Sequence, residues 1–444
     1  MNDALPPEQI RRLAVTRASD PRVLHAWAGR RMDEAPLEGL RWARRARIVD
    51  PSAPPPRHRE ALALWTLGRV REAEVAGTRG LLLGPGDGPA WINLGNVKKR
   101  LGQDDLALKL CGWARAAGAP APMADMNAAI LYLRRGDYAR GWPLYRARHH
   151  TLGADPATIW PDLPEWDGRP LSGRLRLVTE QGIGDAVMFL TLVEAVRARV
   201  GAVTLLVTAR LKALVQRSLP DIQVVAPDAG RTVGPLPPAE AWICVGDLPA
   251  ALGLGLSGAV RPTPYLKADR RRRGALRDRL QRRHPGKRLV GITWTSQAED
   301  GWRRTVPPTL WQPIADLEDV ALVSLQYRAD RRDVADFGDR LEIDHGIEPF
   351  DDLDGLAALT AAMDVVVSPP NNTVHVAGAL GLPCHVMLPV DPDWRWGKDE
   401  HYFRWYDMTV LHRQKRIGDW LPVVASVVQE LRQTREPARP RSPD

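Results

Sequence analysis

The strongest constraint on the fold is a 34-residue repeat in the first third of the chain. In its best copy, Trp91 is followed by Leu94 and Gly95, and Ala107 and Ala114 lie where a second helix is expected. Small residues at such positions let two helices approach closely, and large residues fill the seam to the next helix pair. The repeat therefore predicts a stack of helix pairs rather than an irregular helical bundle.

The register of this copy continues in both directions along the chain. The corresponding small, aromatic and turn residues are Ala129, Tyr132, Gly141 and Tyr145 one period forward, Ala61, Leu64, Gly68, Ala73 and Pro85 one period back, and Trp27, Ala46 and Pro51 a further period back. An aromatic residue, Leu-Gly and then alanine at these spacings are similar to the tetratricopeptide pattern. We predict about four such repeats, with a concave face that holds a protein segment.

The remainder of the chain has a different pattern, in which short β-branched runs alternate with helical stretches. The candidate strands are 175–179, 203–208, 222–226, 242–245, 289–294, 320–326, 365–368 and 385–388. Alternation of this kind indicates parallel sheets covered by helices. Because an arginine-rich stretch at 269–287 separates the strands into two groups of four, we expect two sheets with a ligand cleft between them.

These patterns together predict the domain organisation. The predicted segments are a repeat domain at 1–150, a linker at 151–170, Rossmann-like domains at 171–270 and 271–414, a helix at 415–432 and a disordered basic tail at 433–444. The expected fold class is therefore a helical-repeat solenoid followed by two Rossmann-like parallel-sheet domains.

Composition restricts the partners and the location. The net charge of +9 favours phosphorylated partners, but no nucleic-acid-binding motif accompanies it, so nucleic-acid binding is not expected. Cys111, Cys244 and Cys384 lie too far apart for a disulfide framework or a zinc site. Since the sequence has no apolar run of signal-peptide or membrane-spanning length, a cytoplasmic location without a transmembrane segment is expected.

The first of two strand-to-helix turns with candidate chemistry runs from Glu180 to Asp185. Gly182 and Gly184 would let the backbone approach a substrate, and Asp185 either caps the following helix or acts in catalysis. The turn does not match a dinucleotide-binding fingerprint, because Val187 occupies the position of the third glycine. A dehydrogenase is therefore not expected.

The second turn, at residues 368–381, also follows an apolar run. Asn371, Asn372 or Thr373 would cap a short helix whose N-terminus is suited to a phosphate. His375 lies on the first turn of that helix, where it either contacts a phosphate or sugar hydroxyl or is a packed structural residue. The residues alone leave both roles open.

Six motifs resemble the C-terminal half of GT-B glycosyltransferases, in particular the bacterial repeat-linked group related to family nine, the heptosyltransferases. They are GITW (291–294), VSLQY (323–327), DDLDGLAAL (351–359), NNTVHVAGALG (371–381), PDWRWG (392–397) and RWYDMTVLHRQ (404–414). EQGIGDAVMF, at 180–189, resembles the first glycine turn of the same group. The resemblance implies a GT-B fold in which the C-terminal domain binds a nucleotide sugar and the N-terminal domain holds the acceptor.

The resemblance also implies roles for individual residues. Asp185 becomes the candidate general base that takes the proton of the acceptor hydroxyl. The implied donor-binding residues are Arg303, Arg304, Gln326, Tyr327, Asn371, Thr373, His375, Trp394 and Arg395. Surface exposure of the arginine pair and strand-end packing of Gln326 and Tyr327 are the alternatives. Asp391-Pro-Asp393 followed by Trp394 indicates a turn rather than a metal-binding motif. We therefore expect an inverting, metal-independent enzyme without a cofactor, for which the nucleotide sugar is a co-substrate.

The acceptor follows from the order of the domains. Related architectures include bacterial flagellin glycosyltransferases and other protein O-glycosyltransferases, so the expected acceptor is a Ser/Thr-bearing protein that the repeat groove recruits. Pro370 and Thr295-Ser296 depart from the pattern of the group close to the expected donor site. A non-catalytic scaffold with a degenerate transferase domain, and a transferase for a glycan or lipid-linked acceptor, are the alternatives.

Overall fold

The computed structural model describes residues 20–31, 35–151, 160–227, 234–254, 264–296, 301–329, 331–398, 401 and 403–433. The chain forms two compact units, Met1–Ala154 and Asp155–Asp444. Residues 152–159 of the predicted linker and residues 434–444 of the predicted basic tail lie outside the described residues. No helix in the described ranges is long and apolar enough to cross a membrane.

The first unit, the repeat unit, contains four helix pairs in its described part. The pairs are α1 (Pro21–Arg30) with α2 (Pro36–Val49), α3 (Pro54–Thr66) with α4 (Val70–Leu83), α5 (Gly88–Arg100) with α6 (Asp104–Ala116), and α7 (Ala121–Arg134) with α8 (Tyr138–Tyr145), followed by the short α9 (Arg148–Thr151). The second helices of successive pairs begin 34 residues apart. The predicted period is therefore the period of the structure.

Glycines at two kinds of position explain why the pairs recur at this spacing. Gly68, Gly102 and Gly136 form the turns inside three pairs, with φ between 73° and 77°, a left-handed conformation that favours glycine. At Gly141, a Cβ atom would lie 2.6 Å from Cδ2 of Leu133 on the partner helix. Close helix contact therefore requires the small side chain that the repeat pattern places there.

The second unit, the α/β unit, contains ten described strands in two parallel sheets. The strands are β1 (Leu171–Val178), β2 (Val200–Leu206), β3 (Gln223–Val225), β4 (Ala241–Cys244), β5 (Arg288–Ile292), β6 (Val320–Ser324), β7 (Leu341–Glu342), β8 (Val365–Ser368), β9 (Cys384–Leu388) and β10 (Thr409–Arg413). Their orders are β3-β2-β1-β4 in the first sheet and β10-β9-β8-β5-β6-β7 in the second. The predicted fold class is confirmed.

The helices of the α/β unit lie between and after these strands. They are α10 (Ile183–Leu190), α11 (Val193–Arg197), α12 (Ala209–Ser218), α13 (Leu248–Ala251), α14 (Arg270–Arg283), α15 (Gln312–Ala315), α16 (Arg331–Phe337), α17 (Leu353–Ala361), α18 (Asn372–Ala379) and α19 (Leu421–Gln433). The last helix begins at Leu421 rather than at the predicted residue 415, and Val423, Val424 and Val427 pack into the core of the second sheet. The apolar core therefore extends to the described end of the chain.

The second sheet has six strands where the sequence predicts four. Strand β7 has two residues, too few for a recognisable pattern. Strand β10, at the edge of the sheet, has the sequence TVLHR and buries three of its five residues, so it lacks the continuous apolar run of a central strand. The topology therefore adds one short strand at each edge of the expected sheet.

The arginine-rich stretch forms α14, which packs on the second sheet domain. Leu276 and Leu280 are buried on one side of it. Four of its arginines form ion pairs with acidic residues of the same unit: Arg272 with Asp352, Arg277 with Asp364, Arg279 with Asp344, and Arg283 with Glu342. Much of the positive charge is therefore neutralised within the protein, and the stretch is neither a free connector nor a uniformly solvated basic face.

Candidate active site

The first glycine turn connects β1 to α10, at the carboxyl edge of the first sheet. Gly182 is the N-cap residue of α10, and its N–H donates to Oδ2 of Asp185 at 3.3 Å. Gln181 before it has a φ of 62°, which is uncommon for a residue other than glycine. Asp185 therefore stabilises the helix N-terminus, as one of its two expected roles requires.

The other oxygen of Asp185 faces the second sheet domain. Nη2 of Arg395 donates to Oδ1 of Asp185, and Nη1 of the same guanidinium donates to Asp393. The side chains of Asp185 and Arg395 are 18% and 14% exposed, so the ion pair is largely but not fully shielded from water. The structure thus brings together the expected base and one of the expected donor-binding residues.

Two further arginines, Arg303 and Arg304, interact with Asp391 and Asp393. Nη2 of Arg303 donates to the backbone carbonyl of Asp391 at 2.9 Å and lies 3.4 Å from its carboxylate. Burial raises the pKa of Asp393, but the charges of Arg395 and Arg304 outweigh it and hold that pKa below its usual value. We call Asp185, Arg303, Arg304, Asp391, Asp393 and Arg395 the cleft network. It balances three guanidinium groups against three carboxylates.

Trp394 packs beside Arg395 of the cleft network. It is 4% exposed, its ring lies 6.5 Å from that of Phe189 on α10, and the guanidinium of Arg395 lies 4.7 Å from its centroid. A cation over an aromatic face is attracted by the ring quadrupole. Trp394 therefore orients Arg395, and its own ring is buried against α10.

Gly184 has a different role from the substrate approach that the sequence suggests. A Cβ atom at this position would lie 2.9 Å from Cδ2 of His375 and 3.2 Å from Oδ1 of Asn372. The close approach is therefore to α18 of the second sheet domain. At Gly182 the nearest neighbour would be Asp185 Oδ2 at 3.4 Å, an ordinary contact, so this glycine has no comparable steric requirement.

Asn371, on the second turn, is the N-cap of α18 and holds the ends of two strands together. Its Oδ1 accepts from the N–H of Thr373 at 3.0 Å. Its Nδ2 donates to Oγ1 of Thr293 at 2.8 Å and to the carbonyl of Thr295 at 3.2 Å. The side chain is thus fully used inside the protein, and so it positions the turn rather than presenting a free amide.

Thr373 lies two residues after Asn371 and is completely buried. Its Oγ1 has no hydrogen-bond partner among the described residues. A buried hydroxyl without a partner is uncommon in proteins. Thr373 is an expected donor-binding residue of this turn. Its buried hydroxyl forms no hydrogen bond to the described residues.

His375 is enclosed by aromatic rings. The centroids of Trp396, Phe403 and Tyr406 lie 5.5, 6.2 and 6.0 Å from its own, and Nδ1 lies 3.4 Å from the hydroxyl of Tyr406. Burial, with a smaller contribution from Arg395, lowers the pKa of His375 to about 3. The imidazole is therefore neutral at physiological pH and packs as a structural residue in this structure.

Gln326 and Tyr327 follow β6 at the same carboxyl edge. Oε1 of Gln326 accepts from the N–H groups of Trp294 and Thr295 at 3.0 and 3.1 Å, and Nε2 donates to the carbonyl of Tyr327. Gln326 is 4% exposed and therefore acts as a brace between β5 and β6. Tyr327 is also buried, with its ring 6.4 Å from that of Phe350.

The sequence did not identify the aromatic enclosure of His375 or the pairing of Arg395 with Asp185. Trp396, Phe403 and Tyr406 lie within or beside two of the quoted motifs, PDWRWG and RWYDMTVLHRQ. The signal was therefore present as an aromatic-rich stretch. Its spatial partner, His375, lies 21 to 31 residues before these rings and could not be assigned from local spacing.

The repeat unit contains a separate groove, which we call the repeat groove. Its lining residues are His58, Ala61, Leu62, Trp65, Ala73, Gly77, Ala90, Asn93, Leu94, Asn96 and Val97. Asn93 and Asn96 lie three residues apart on α5, half-buried, and their amides make no side-chain hydrogen bond to the described residues. These amides can both donate to and accept from a ligand.

Polar side chains contact two of the residues that line the repeat groove. Nδ1 of His58 lies 2.9 Å from the carboxylate of Asp87, while its buried Nε2 has no partner in the described part of the chain. The guanidinium of Arg100 lies 3.4 Å from the ring centroid of Trp65. The groove thus combines a fixed apolar wall with polar groups that are free to bind.

Comparison with known proteins gives one curated relative. Protein FlbA of Caulobacter vibrioides is 30% identical over 405 residues, which cover 84% of this chain and 67% of FlbA. No family profile matches the chain.

Two solved structures resemble parts of the chain. A crystal structure of MamA has a TM-score of 0.29 and 14% identity, covering 32% of this chain and 83% of MamA. ADP-heptose lipopolysaccharide heptosyltransferase II of E. coli has a TM-score of 0.40 and 11% identity, covering 59% of this chain and 98% of that structure.

Proposed function

The chain belongs to the family of protein FlbA, and from that premise we propose that it is a glycosyltransferase that moves a sugar from a nucleotide-sugar donor to a protein acceptor. The observation that carries the proposal is the contact between Asp185 of the first sheet domain and Arg395 of the second. It places a carboxylate and a cation together at the carboxyl edges of two parallel sheets, where open α/β folds bind ligands.

The cleft network has the groups that such a transfer needs. The acceptor oxygen forms a bond to the anomeric carbon, the bond from that carbon to the donor phosphate breaks, and the acceptor proton passes to Asp185. The departing phosphate gains negative charge, which Arg303, Arg304 and Arg395 can compensate. We therefore propose a single-displacement, inverting reaction in which these guanidinium groups take the part of a metal and no cofactor is required.

The contacts of Arg395 imply an order for donor binding and activation of the acceptor hydroxyl. The guanidinium binds Asp185 and Asp393 at the same time. A donor phosphate competes with Asp185 for Arg395, and its binding frees the Asp185 carboxylate to accept a proton. Donor binding thus precedes activation of the acceptor hydroxyl.

The repeat groove supports a protein as the acceptor. The free amides of Asn93 and Asn96 match the alternating N–H and C=O groups of an extended main chain, and Leu62 and Trp65 offer an apolar wall for its side chains. We propose a Ser/Thr-bearing protein, such as a flagellin, as this acceptor, and the cytoplasm of a bacterium as the location. The paired arginines of α14 argue against nucleic acid as a partner.

A non-catalytic scaffold is the second candidate, and a specific observation favours it. Asn371, Gln326 and His375, three of the expected donor-binding residues, are committed to contacts inside the protein. Under this alternative the α/β unit binds a nucleotide sugar, or no ligand, without turnover.

The test is transfer by the full chain and by Asp185→Asn, with a flagellin and a glycan as alternative acceptors, a series of nucleotide sugars as donors, and the mass of the acceptor as the readout. Loss of a general base lowers the rate by about 10²- to 10⁴-fold, so we expect a loss of that size for Asp185→Asn. Glu194→Gln, an exposed carboxylate on α11, is the matched control and should transfer at the native rate.

Equal rates for Asp185→Asn and the native protein would exclude Asp185 as the base. Binding of a nucleotide sugar without transfer to either acceptor would favour the scaffold. Transfer to the glycan alone would identify a glycan-modifying enzyme and remove the proposed role of the repeat groove.

A further inference from the structure

Two arginines from different sheet domains share one aromatic ring. The guanidinium carbon of Arg210, at the start of α12, lies 4.1 Å from the ring centroid of Phe350, and that of Arg328, after β6, lies 3.4 Å from the same centroid. Because β2 precedes Arg210 and β6 precedes Arg328, both residues follow the carboxyl ends of strands. The pair therefore lies on the ligand-binding edges of both sheets.

Neither guanidinium is held by a carboxylate in the described part of the protein, although the charges of Asp351 and Glu348 attract that of Arg210. Nε of Arg210 is buried and has no hydrogen-bond partner there, and neither side chain forms an ion pair with the described residues. This separates them from the arginines of α14, four of which have a carboxylate partner. Two like charges beside one ring repel each other.

One nearby carboxylate, that of Glu348, is used in another way. Oε2 of Glu348 accepts from the N–H groups of Phe350 and Asp351 at 2.9 Å, and its Oε1 lies 3.4 Å from the N–H of Arg328. Glu348 thus holds the backbone of the two loops rather than a guanidinium. Burial lowers the pKa of Arg210 and the charge of Arg328 lowers it further, although Asp351 and Glu348 oppose the change.

The backbone conformation of Arg328 is energetically unfavourable. Its φ of 48° lies in the left-handed region, where a residue other than glycine is disfavoured by about 1 kcal/mol. Glu348 is bonded to its N–H and so helps to keep it there. The loop therefore keeps Arg328 beside Phe350 in a backbone conformation that favours glycine.

We propose that Arg210, Arg328 and Phe350 form an oxyanion-binding site that takes a phosphate or carboxylate group of a ligand. Guanidinium groups bind such groups through paired N–H donors, and an anion bound to both arginines reduces their repulsion. Since one arginine comes from each sheet domain, the bound anion also joins the two domains. The site does not depend on transfer and holds for the scaffold as well as for the enzyme.

The first experiment maps the reactivity of individual arginines in the full chain. Phenylglyoxal modification is followed by peptide mass spectrometry, with pyrophosphate or malonate added at constant ionic strength and chloride as the reference. We expect either anion to slow modification of Arg210 and Arg328 at least about fivefold and to leave Arg273, an exposed arginine of α14, unchanged. Equal rates with and without both anions, or equal protection of all three arginines, would overturn the site.

The second experiment measures the affinity of pyrophosphate and malonate for the native protein and four variants by calorimetry. Arg210→Ala and Arg328→Ala should each weaken binding about tenfold, which is about 1.4 kcal/mol, and Arg273→Ala, with the same loss of charge, should not. Arg210→Lys keeps the charge and loses the paired donors, so it should fold and bind with intermediate affinity even where the alanine variant is unstable. The tighter anion identifies the ligand group, and native affinity in both arginine variants of the site contradicts the proposal.

Discussion

The repeat groove and the cleft network use their polar side chains in opposite ways. In the cleft, Asp185 and Arg395 are bonded to each other, and Asn371 and Gln326 are bonded to the backbone. In the groove, the amides of Asn93 and Asn96 make no such bonds to the described residues. The difference indicates that the residues of the cleft are held in a defined arrangement by contacts inside the protein, whereas the repeat groove leaves its donors and acceptors to a partner.

Three buried histidines of the α/β unit have lowered pKa values, and their titration gives the largest effect that we expect. Burial lowers the pKa of His375 to about 3, of His385 to about 4 and of His412 to about 3. Nδ1 of His385 lies 3.1 Å from Nε2 of His412, whose Nδ1 lies 2.8 Å from Ser426 Oγ. All three histidines belong to the α/β unit. Protonation of the pair would place two donors face to face.

Acid should therefore unfold the α/β unit. In the unfolded chain these histidines titrate near pH 6.5, so their contribution to the free energy of unfolding is complete above that pH. It falls as the pH drops from about 6.5 to 4, by up to about 1.4 kcal/mol per pH unit for each histidine. Denaturant titrations across this range measure the slope.

A matched pair of variants identifies the source of that slope. His412→Gln should lower this slope by the amount that corresponds to about one proton taken up on unfolding. His345→Gln, at an exposed position, should leave the slope unchanged. A free energy of unfolding that stays constant between pH 7 and 5 would show that these histidines are not held neutral.

The close contact at Gly184 gives the next largest effect. Gly184→Ala places a Cβ atom 2.9 Å from the buried His375, so we expect a loss of about 1 to 3 kcal/mol in stability. Gly274→Ala, inside α14 with no atom within 4 Å of the new Cβ, should instead stabilise the protein by about 0.4 to 1 kcal/mol. Thermal unfolding of the two variants measures both signs, and a stable Gly184→Ala protein would contradict the tight packing of α10 on α18.

The repeat groove gives the smallest effect on the fold and a selective one on function. Asn93→Ala with Asn96→Ala should change stability by less than about 0.5 kcal/mol, because neither amide is bonded to the described protein. The KM for a protein acceptor should rise about tenfold, with no change for a glycan acceptor. Asn127, one period after Asn93, donates to the carbonyl of Met123, and Asn127→Ala is the control. Equal KM values for all three proteins would separate the groove from the acceptor.

The two units differ in how far their sequence predicts them. In the repeats, each position recurs after 34 residues, so Gly68, Gly102 and Gly136 report the same turn three times. In the α/β unit, the eight predicted strands are present, but β7 and β10 are edge strands without a clear apolar pattern. Local periodicity is thus a sufficient guide to the repeats and to the buried strands.

The candidate site is less accessible to sequence reasoning because its contacts are distant along the chain. Asp185 and Arg395 are separated by 210 residues, and the rings around His375 come from a later segment. The motifs indicate which residues lie at the carboxyl edges, since strand ends can be read from local sequence. Which of them pair with each other depends on how the two sheet domains pack, and no local pattern encodes that.

The most direct test of the account is the melting temperature of the α/β unit in the full chain with a series of nucleoside mono- and diphosphate sugars. A ligand that binds the folded state stabilises it by about 2.7 kcal/mol at one hundred times its dissociation constant. We predict that at least one nucleotide sugar raises this temperature by several degrees in the native protein, and by at least as much in Asp185→Asn, because the base is not needed for binding and no longer competes with the donor phosphate for Arg395. The absence of a shift with every nucleotide sugar would contradict the central claim that the cleft binds a sugar donor.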